Sequence, residues 1–466
     1  MNTEAGKMGA LTRSNQIGAD LTQGNILKKL LLFAVPIVLT NLIQQVYSMV
    51  DLAIIGQFMG SAGTVGVGTG GEIADLGTTI AVAFAAAGQI YIAQLAGAKD
   101  DKRIKEAIGT LITLMVLLSA VTLACVLVFC RPLLSALNCP QEGYAQAENY
   151  MLITAFGMPF IFGYNAICAI CRGLGESKRP LYFISVAAVL NIILDILFVA
   201  VFHLEAAGTA LATVLAQVGS FLAAFYFLYS SRERFDFELK LSYFKIKWRP
   251  LKVILTLGLP HLAQSGLVHF SLLWVNSNIN AFGLVTSATN SIGNKVQKMI
   301  TIFTTSFATG AGAMIAQNLG AKKYDRVKKV VWITLGCTLT VATIGSILAI
   351  VAPKALFGLF TADQAVLDFC VVYMKIMILT YYSSAFMTAF QSVVTGAGFA
   401  TFSMLLGLLD GVVCRIGFSL LFLYVFDFGN LSFFFGNGMA RTLPALIAFL
   451  YFISGKWKTR KLLGEK

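Results

Sequence analysis

Long apolar runs separated by short polar segments dominate the hydrophobic pattern of the chain. A run of about 20 apolar residues is long enough to cross a bilayer as a helix. The pattern predicts twelve such spans, at residues 28–57, 67–96, 107–130, 147–171, 180–202, 206–229, 251–282, 288–317, 329–352, 366–395, 401–425 and 437–455. Pro36 and Pro260 fall inside the first and seventh spans and predict hinges there. The predicted fold is therefore an all-α polytopic membrane protein.

The two halves of the chain resemble each other at a spacing of 223 or 224 residues. The segment IAQLAGAKDDKRIKEA at 92–107 recurs as IAQNLGAKKYDRVKKV at 315–330. Because each half has six spans, both halves begin on the same side of the membrane. We therefore expect two six-helix bundles related by a pseudo-twofold axis, as in alternating-access transporters. The predicted domains are an N-terminal lobe (1–229), a basic linker (230–250) and a C-terminal lobe (251–466).

Composition and charge support a membrane location. Hydrophobic residues make up 57% of the chain and charged residues 12%, against about 25% charged residues in soluble domains. The formal net charge of +13 comes from short loops and not from a basic patch, so no nucleic-acid partner is expected. One side of the predicted topology holds 28 of the 35 Lys and Arg residues, which predicts that both termini are cytoplasmic. The expected location is the cell inner (plasma) membrane.

Acidic and amide side chains interrupt two of the spans in the first half. Asp195 lies in the middle of an apolar stretch at 185–202, where an ionised carboxylate is costly. Asn191 is four residues earlier, so both share one helix face. Gln44, Tyr47 and Asp51 form a similar stripe on the first span, and this stripe must face protein or a water-filled cavity. Packing alone remains an alternative role for either acid.

The charges inside the spans are divided unequally between the halves. The first six spans contain Asp51 and Asp195 but no Lys or Arg, so these acids must hold a proton, a metal cation or a cationic substrate. Asp410 of the second half is instead predicted to form structural ion pairs with Arg415 and Arg441. Further bases lie in the second-half spans at Lys295, Lys298 and Lys375.

Three further observations concern substrate and gating. Asn276 and Asn280 share a face of the seventh span, where they could bond neighbouring helices or line a cleft. Gln44 and Tyr47 join them as candidate substrate contacts. At the 223-residue spacing Glu72 corresponds to Lys295, which suggests an external gate between opposite charges. The alternative is that each charge extends to the outer interface by itself.

Several segments, in this order and spacing, resemble the multidrug and toxic compound extrusion (MATE) family over residues 22–461. They are FAVPIVLTNLIQQVYSMVDLAIIGQ (33–57), AQLAGAKD, RGLGESKRP (172–180), LNIILDILF (190–198) and AQNLGAKK. The resemblance implies two lobes around a cleft and export of cationic or amphipathic compounds, driven by inward movement of H⁺ or Na⁺. In the prokaryotic branch with its cation site in the N-terminal lobe, the matching residues are Asp51, Asn165, Asn191, Asp195 and Thr213. Asp51 and Asp195 would ligate the metal if the ion is Na⁺.

Competing functions remain at this point. The chain has no G-x-x-x-x-G-K-[ST] motif, which argues against an ATP-driven pump. A lipid-linked oligosaccharide flippase of the same superfamily is the alternative to an efflux transporter. We expect no enzymatic activity and no cofactor, and we expect the protein to act as a monomer within the lipid bilayer.

Overall fold

The structure, a computed structural model, describes residues 19–58, 60–136, 139–231, 244–459 and 463–464. These residues form helices and short connections, and none of them lies in a strand. Within this part of the chain, twelve segments are long and apolar enough to cross a membrane, which confirms the predicted fold class. Most of the predicted basic linker (230–250) lies outside the described residues.

The first half of the chain contains six long helices. They are α1 (Ile26–Phe58), α2 (Gly60–Ala98), α3 (Asp101–Ala136), α4 (Gln141–Gly173), α5 (Lys178–Asp195) and α6 (Glu205–Ser230). A π-helix, Ile196–Val201, continues α5 directly after Asp195. It completes the fifth span.

The second half contains nine helices in its described residues, because two of its spans are interrupted. They are α7 (Trp248–Asn280), α8 (Leu284–Gly320), α9 (Tyr324–Val351), the short α10 (Pro353–Gly358), α11 (Gln364–Gly396), α12 (Ala400–Leu408), α13 (Gly417–Tyr424), α14 (Ser432–Met439) and α15 (Thr442–Ser454). The π-helix Leu409–Ile416 joins α12 to α13. Short 3₁₀ turns lie at Gly429–Leu431 and Lys456–Lys458.

The last span begins earlier than the sequence predicts. It extends over Gly429–Ser454, whereas the hydropathy pattern places its start near residue 437. The segment GNGMAR at 436–441 lowers the local hydropathy, because it combines two glycines with an asparagine and an arginine. The chain crosses this polar stretch as two consecutive helices, α14 and α15, so an arginine can be placed within the span.

The helices form two compact units. The first contains Leu39–Leu255 and the described residues before Leu21, and the second contains Leu21–Val38 and Thr256–Lys466. Hydrogen bonds explain why the start of α1 belongs to the second unit. The Leu21 amide donates to Gln317 Oε1 at 3.1 Å, and Arg326 Nη1 donates to the Gly24 carbonyl at 2.8 Å.

The internal repeat is confirmed in the backbone of the two units. Lys99 follows α2 with φ of 56°, and Lys322 follows α8 with φ of 57°, at a spacing of 223 residues. Gly173 and Gly396 have the same spacing. A Cβ at either position would lie 2.9 or 3.1 Å from a backbone carbonyl oxygen of α2 or α8, respectively. Both halves therefore use glycine to bring equivalent helices into close contact.

Close glycine contacts also hold the helices of the first unit together. On α2, a Cβ at Gly66 would lie 2.7 Å from Gln146 Cβ, and one at Gly70 would lie 3.0 Å from Tyr150 Cδ1, both on α4. On α6, a Cβ at Gly208 would lie 3.2 Å from the backbone of Phe198. Small residues at helix contacts let backbones approach closely in a bilayer. This packing fixes the positions of α4, α5 and α6 around Asp195.

Candidate cation and substrate site

Asp195 and Asn191 lie on the buried face of α5. Asp195 is 0% exposed and Asn191 is 1% exposed. Within the described part of the chain, neither the two carboxyl oxygens of Asp195 nor the amide atoms of Asn191 have a hydrogen-bond partner. Buried polar side chains are normally hydrogen-bonded, so an unpartnered pair of this kind points to a function. The π-helix that begins at Ile196 is a feature often found at functional sites.

Asp51 of α1 faces the same place. Its carboxyl group is close enough to Asp195 and Asn191 for all three side chains to interact, although Asp51 Oδ1 has no hydrogen-bond partner among the described residues. None of the Lys and Arg residues that the structure describes forms a salt bridge with either acid. The structure thus brings together two acids and an amide from α1 and α5 without a fixed positive charge.

Thr213 lies at the level of Asp195 on α6. Gly208 and Gly219 of α6 pack against Phe198 and Leu190, and Thr213 lies between these contacts as Asp195 lies between their partners. In the described structure, the Thr213 hydroxyl has no hydrogen-bond partner. This hydroxyl is therefore available to a bound ion or water molecule.

Asn165, the remaining predicted cation ligand, is half-buried on α4. Its Nδ2 donates to the Ile161 carbonyl of its own helix at 2.8 Å. The amide nitrogen is thereby held by the backbone. Its role as a cation ligand stays a prediction.

Two of the four predicted substrate contacts lie on α1. Gln44 and Tyr47 are both half-buried there. Tyr47 is close enough to Asp51 and Asp75 to feel both charges, and it packs against the apolar cluster around Tyr164. The polar stripe predicted on the first span therefore leads to the acid pair.

Tyr150 of α4 also belongs to this region, and the sequence analysis missed it. Its hydroxyl lies within electrostatic range of Asp51, Asp75 and Asp195. A tyrosine at the start of an apolar span gives little signal by itself. The spacing of four residues from Gln146 could have identified it, because both side chains then share a face of α4.

The other two predicted substrate contacts, on α7, bond a neighbouring helix. Asn290 Nδ2 donates to Asn276 Oδ1 at 2.8 Å, and the Ser287 hydroxyl donates to Asn280 Oδ1 at 2.6 Å. Both partners belong to α8. Of the two roles left open by the sequence, interhelical bonding is the one observed, and contact with substrate stays a prediction.

Asp410 of the second unit forms the predicted ion pairs. Arg415 Nη2 is 2.9 Å from Asp410 Oδ1, and Arg441 Nε is 3.4 Å from Oδ2. Arg441 Nη1 also donates to the hydroxyl of Ser384. Asp410 and Arg415 are 6% and 3% exposed. This acid is neutralised by protein side chains, unlike Asp51 and Asp195.

The predicted gate and hinge residues have clear positions but untested roles. Glu72 is exposed on α2, and Lys295 is exposed on α8 with its Nζ 5.7 Å from the ring centroid of Phe360. Pro36 and Pro260 lie inside α1 and α7, which continue as helices through both prolines. Gate and hinge functions for these residues remain predictions.

Twelve spans in a repeated arrangement, with unpaired acids inside one unit, define a secondary transporter. The MatE family model matches residues 36–197 and again 260–421, so the second match starts 224 residues after the first. The chain therefore belongs to the MATE family of transporters. This is a family of transporters and not a class of enzymes.

Curated relatives and solved structures agree with this assignment. The chain is 29% identical to the probable multidrug resistance protein YpnP of Bacillus subtilis, over 96% of this chain and 99% of that protein. It is 23% identical to the multidrug export protein MepA of Staphylococcus aureus, over 83% of this chain and 85% of MepA. It also superposes on a multidrug resistance MATE transporter in an outward-facing conformation, with a TM-score of 0.88 and 18% identity over 95% and 99% of the chains. The flippase alternative is not favoured.

Proposed function

We propose that this protein exports cationic or amphipathic compounds from the cell in exchange for H⁺ or Na⁺. Transport proceeds by alternating access in the inner (plasma) membrane, with both termini cytoplasmic. The names of the relatives, a multidrug resistance protein and a multidrug export protein, support the substrate class. The unequal distribution of Lys and Arg between the loops supports the orientation.

One observation carries the coupling mechanism. Asp195 and Asn191 are buried with no hydrogen-bond partner among the described residues, and Asp51 interacts with both. Two adjacent carboxyl groups in a bilayer cannot both stay ionised without a positive partner. A proton, a sodium ion or a cationic substrate supplies that charge in turn. Exchange of one cation for the other is antiport.

The oxygen atoms around the acids suit either ion. Na⁺ is a hard cation and prefers oxygen ligands, which Asp51, Asn191, Asp195 and Thr213 supply. A proton needs only one carboxyl group. The residues that would bind the ion are therefore the same in both cases, and the choice of ion is left to experiment.

The test is efflux of a cationic dye from proteoliposomes, with the pH gradient and the sodium gradient imposed separately. We expect one of the two gradients to drive efflux of the dye by the wild-type protein. Asp51→Asn and Asp195→Asn should abolish this driven efflux. The matched control is Asp325→Asn, which removes an exposed acid 3.8 Å from Lys328 and should leave transport unchanged. Normal driven efflux by Asp195→Asn would contradict the proposal.

A further inference from the structure

A line of polar side chains runs along one face of α6. Glu205, Thr209, Thr213 and Gln217 follow one another every four residues, and Ser220 comes three residues later. At 3.6 residues per turn, a four-residue step rotates the helix by only about 40°. The five side chains therefore lie within roughly one third of the circumference of the helix. We call these five residues the α6 polar line.

The buried members of this line have no protein partner. In the described structure, the hydroxyls of Thr209, Thr213 and Ser220 and the Oε1 atom of Gln217 lack hydrogen bonds. Thr209 is 1% exposed and Ser220 is 0% exposed. These atoms therefore need a partner that is not part of the described chain.

Other buried hydroxyls in the protein behave differently. Thr154 donates to the Tyr150 carbonyl at 2.8 Å, and Thr334 donates to the Val330 carbonyl at 2.8 Å. Such a bond to the preceding turn is the usual solution for Thr and Ser in a membrane helix. Because the α6 hydroxyls do not adopt it, their partners are better sought in water or a cation.

The line connects the end of the bundle at Glu205 with the acid pair. At that end, Gln146 Nε2 of α4 donates to Glu205 Oε2 at 3.1 Å, and both side chains are exposed. Four residues along α4 comes Tyr150, which packs against Ala206 and lies within electrostatic range of Asp195. Below Ser220, α6 enters an apolar cluster, so the line ends near the acids.

We propose that the α6 polar line is the route by which the coupling cation reaches Asp51 and Asp195 from the Glu205 end. Glu205 attracts cations to the entrance, the Thr209 hydroxyl binds the cation or its water on the way, and Tyr150 narrows the passage. The loops at the Glu205 end carry few Lys and Arg residues, so this end faces the outside of the cell. The inference rests on the proposed function, because it requires a coupling cation.

The kinetic test replaces Thr209 with Val, which keeps the shape of the side chain and removes the hydroxyl. In proteoliposomes, we expect Thr209→Val to raise the half-saturating concentration of the driving ion about tenfold, since a hydrogen bond to a charged group is lost. The limiting rate at saturating ion should change little. Thr209→Ser keeps the hydroxyl and should resemble the wild type. Thr334→Val is the control for loss of a buried hydroxyl elsewhere.

Glu205→Gln tests the entrance separately. We expect a higher half-saturating ion concentration at low ionic strength and a smaller difference at high ionic strength, because salt screens an exposed carboxylate. The driving gradients of H⁺ and Na⁺ are applied one at a time. If Thr209→Val and Glu205→Gln both show wild-type ion dependence, the route is wrong.

A second measurement does not depend on coupling. A membrane-impermeant thiol reagent added from outside should modify Thr209→Cys above the level of the wild-type protein, and H⁺ or Na⁺ should slow this reaction. Thr334→Cys should not react above that level. Absence of labelling at position 209 would overturn the route, whatever drives transport. If neither gradient drives wild-type efflux, the proposed function fails, and the labelling alone then decides whether the line is accessible.

Discussion

Two buried acids of this protein are stabilised in opposite ways. Asp410 has Arg415 and Arg441 as ion-pair partners, whereas Asp195 has no partner among the described residues. Removing one member of a buried ion pair strands the other charge and destabilises a protein by about 3–5 kcal/mol. Removing a buried charge that has no partner carries no such penalty. The two acids should therefore respond differently to the same substitution.

We predict that Asp410→Asn lowers the thermal unfolding temperature of the detergent-solubilised protein. The loss of unfolding free energy should be about 3 kcal/mol or more, because Arg415 would remain buried without its counter-charge. Asp195→Asn should leave the unfolding temperature unchanged or raise it, and it serves as the matched comparison. Equal melting of the Asp410→Asn variant and the wild type would contradict a structural role for the ion pair.

The sequence predicted some residue roles better than others. The Asp410 pairs were predictable, because a lone acid in spans rich in Lys and Arg has few other ways to be neutralised. The roles of Asn276 and Asn280 were not, since hydrogen bonding and substrate contact both place an asparagine on a helix face. Only the positions of Asn290 and Ser287 on α8 distinguish the two roles. Tyr150 was missed because its neighbours in space come from other helices.

At the scale of elements, α1 and α7 each contribute to both units. The assignment of α1 changes between Val38 and Leu39, two residues after Pro36. The assignment of α7 changes between Leu255 and Thr256. Thr256 is four residues before Pro260, so its carbonyl is the one left without a helical hydrogen bond by that proline. Both changes thus occur within about one turn of a weakened helix position.

We predict that Pro36→Ala and Pro260→Ala slow transport without abolishing binding. Alanine restores the missing amide donor and stiffens the helix, so the steady-state rate of dye efflux should fall several-fold. The affinity for the dye, measured by fluorescence in detergent, should stay close to the wild-type value. Pro159→Ala is the control, because Pro159 lies inside α4 and far in sequence from either change of unit. If all three variants transport equally well, the hinge hypothesis is wrong.

The helical interruptions were beyond the sequence analysis. The π-helices at Ile196–Val201 and Leu409–Ile416 contain ordinary apolar residues for the most part, so their hydropathy matches that of an α-helix. The wide turn depends on packing by neighbouring helices. The existence of the spans, in contrast, follows from length and hydropathy alone, and all twelve were predicted.

At the scale of the whole molecule, the repeat preserves the backbone but not the polar residues. The spacing of 224 that relates Pro36 to Pro260 relates Asp51 to Val275, and the spacing of 223 relates Asp195 to Phe418. The second half has apolar side chains at both positions. Loop motifs and glycine contacts recur because the fold needs them twice, while the acids occur once. The repeat was therefore visible in the sequence, and its functional asymmetry follows from which positions differ.

If the acids occur in one half only, the coupling ion and a cationic substrate must use the same carboxyl groups. Each ligand should then lower the apparent affinity of the other by the same factor. We predict that the dissociation constant of a cationic dye, measured by calorimetry in detergent, rises about tenfold for each tenfold increase in the coupling ion above its own dissociation constant. In Asp195→Asn this dependence should weaken or disappear. Dye affinity that stays constant over a hundredfold range of both H⁺ and Na⁺ would show that the two ligands do not share the acids, and substrate binding would then have to be assigned to residues other than Asp51 and Asp195.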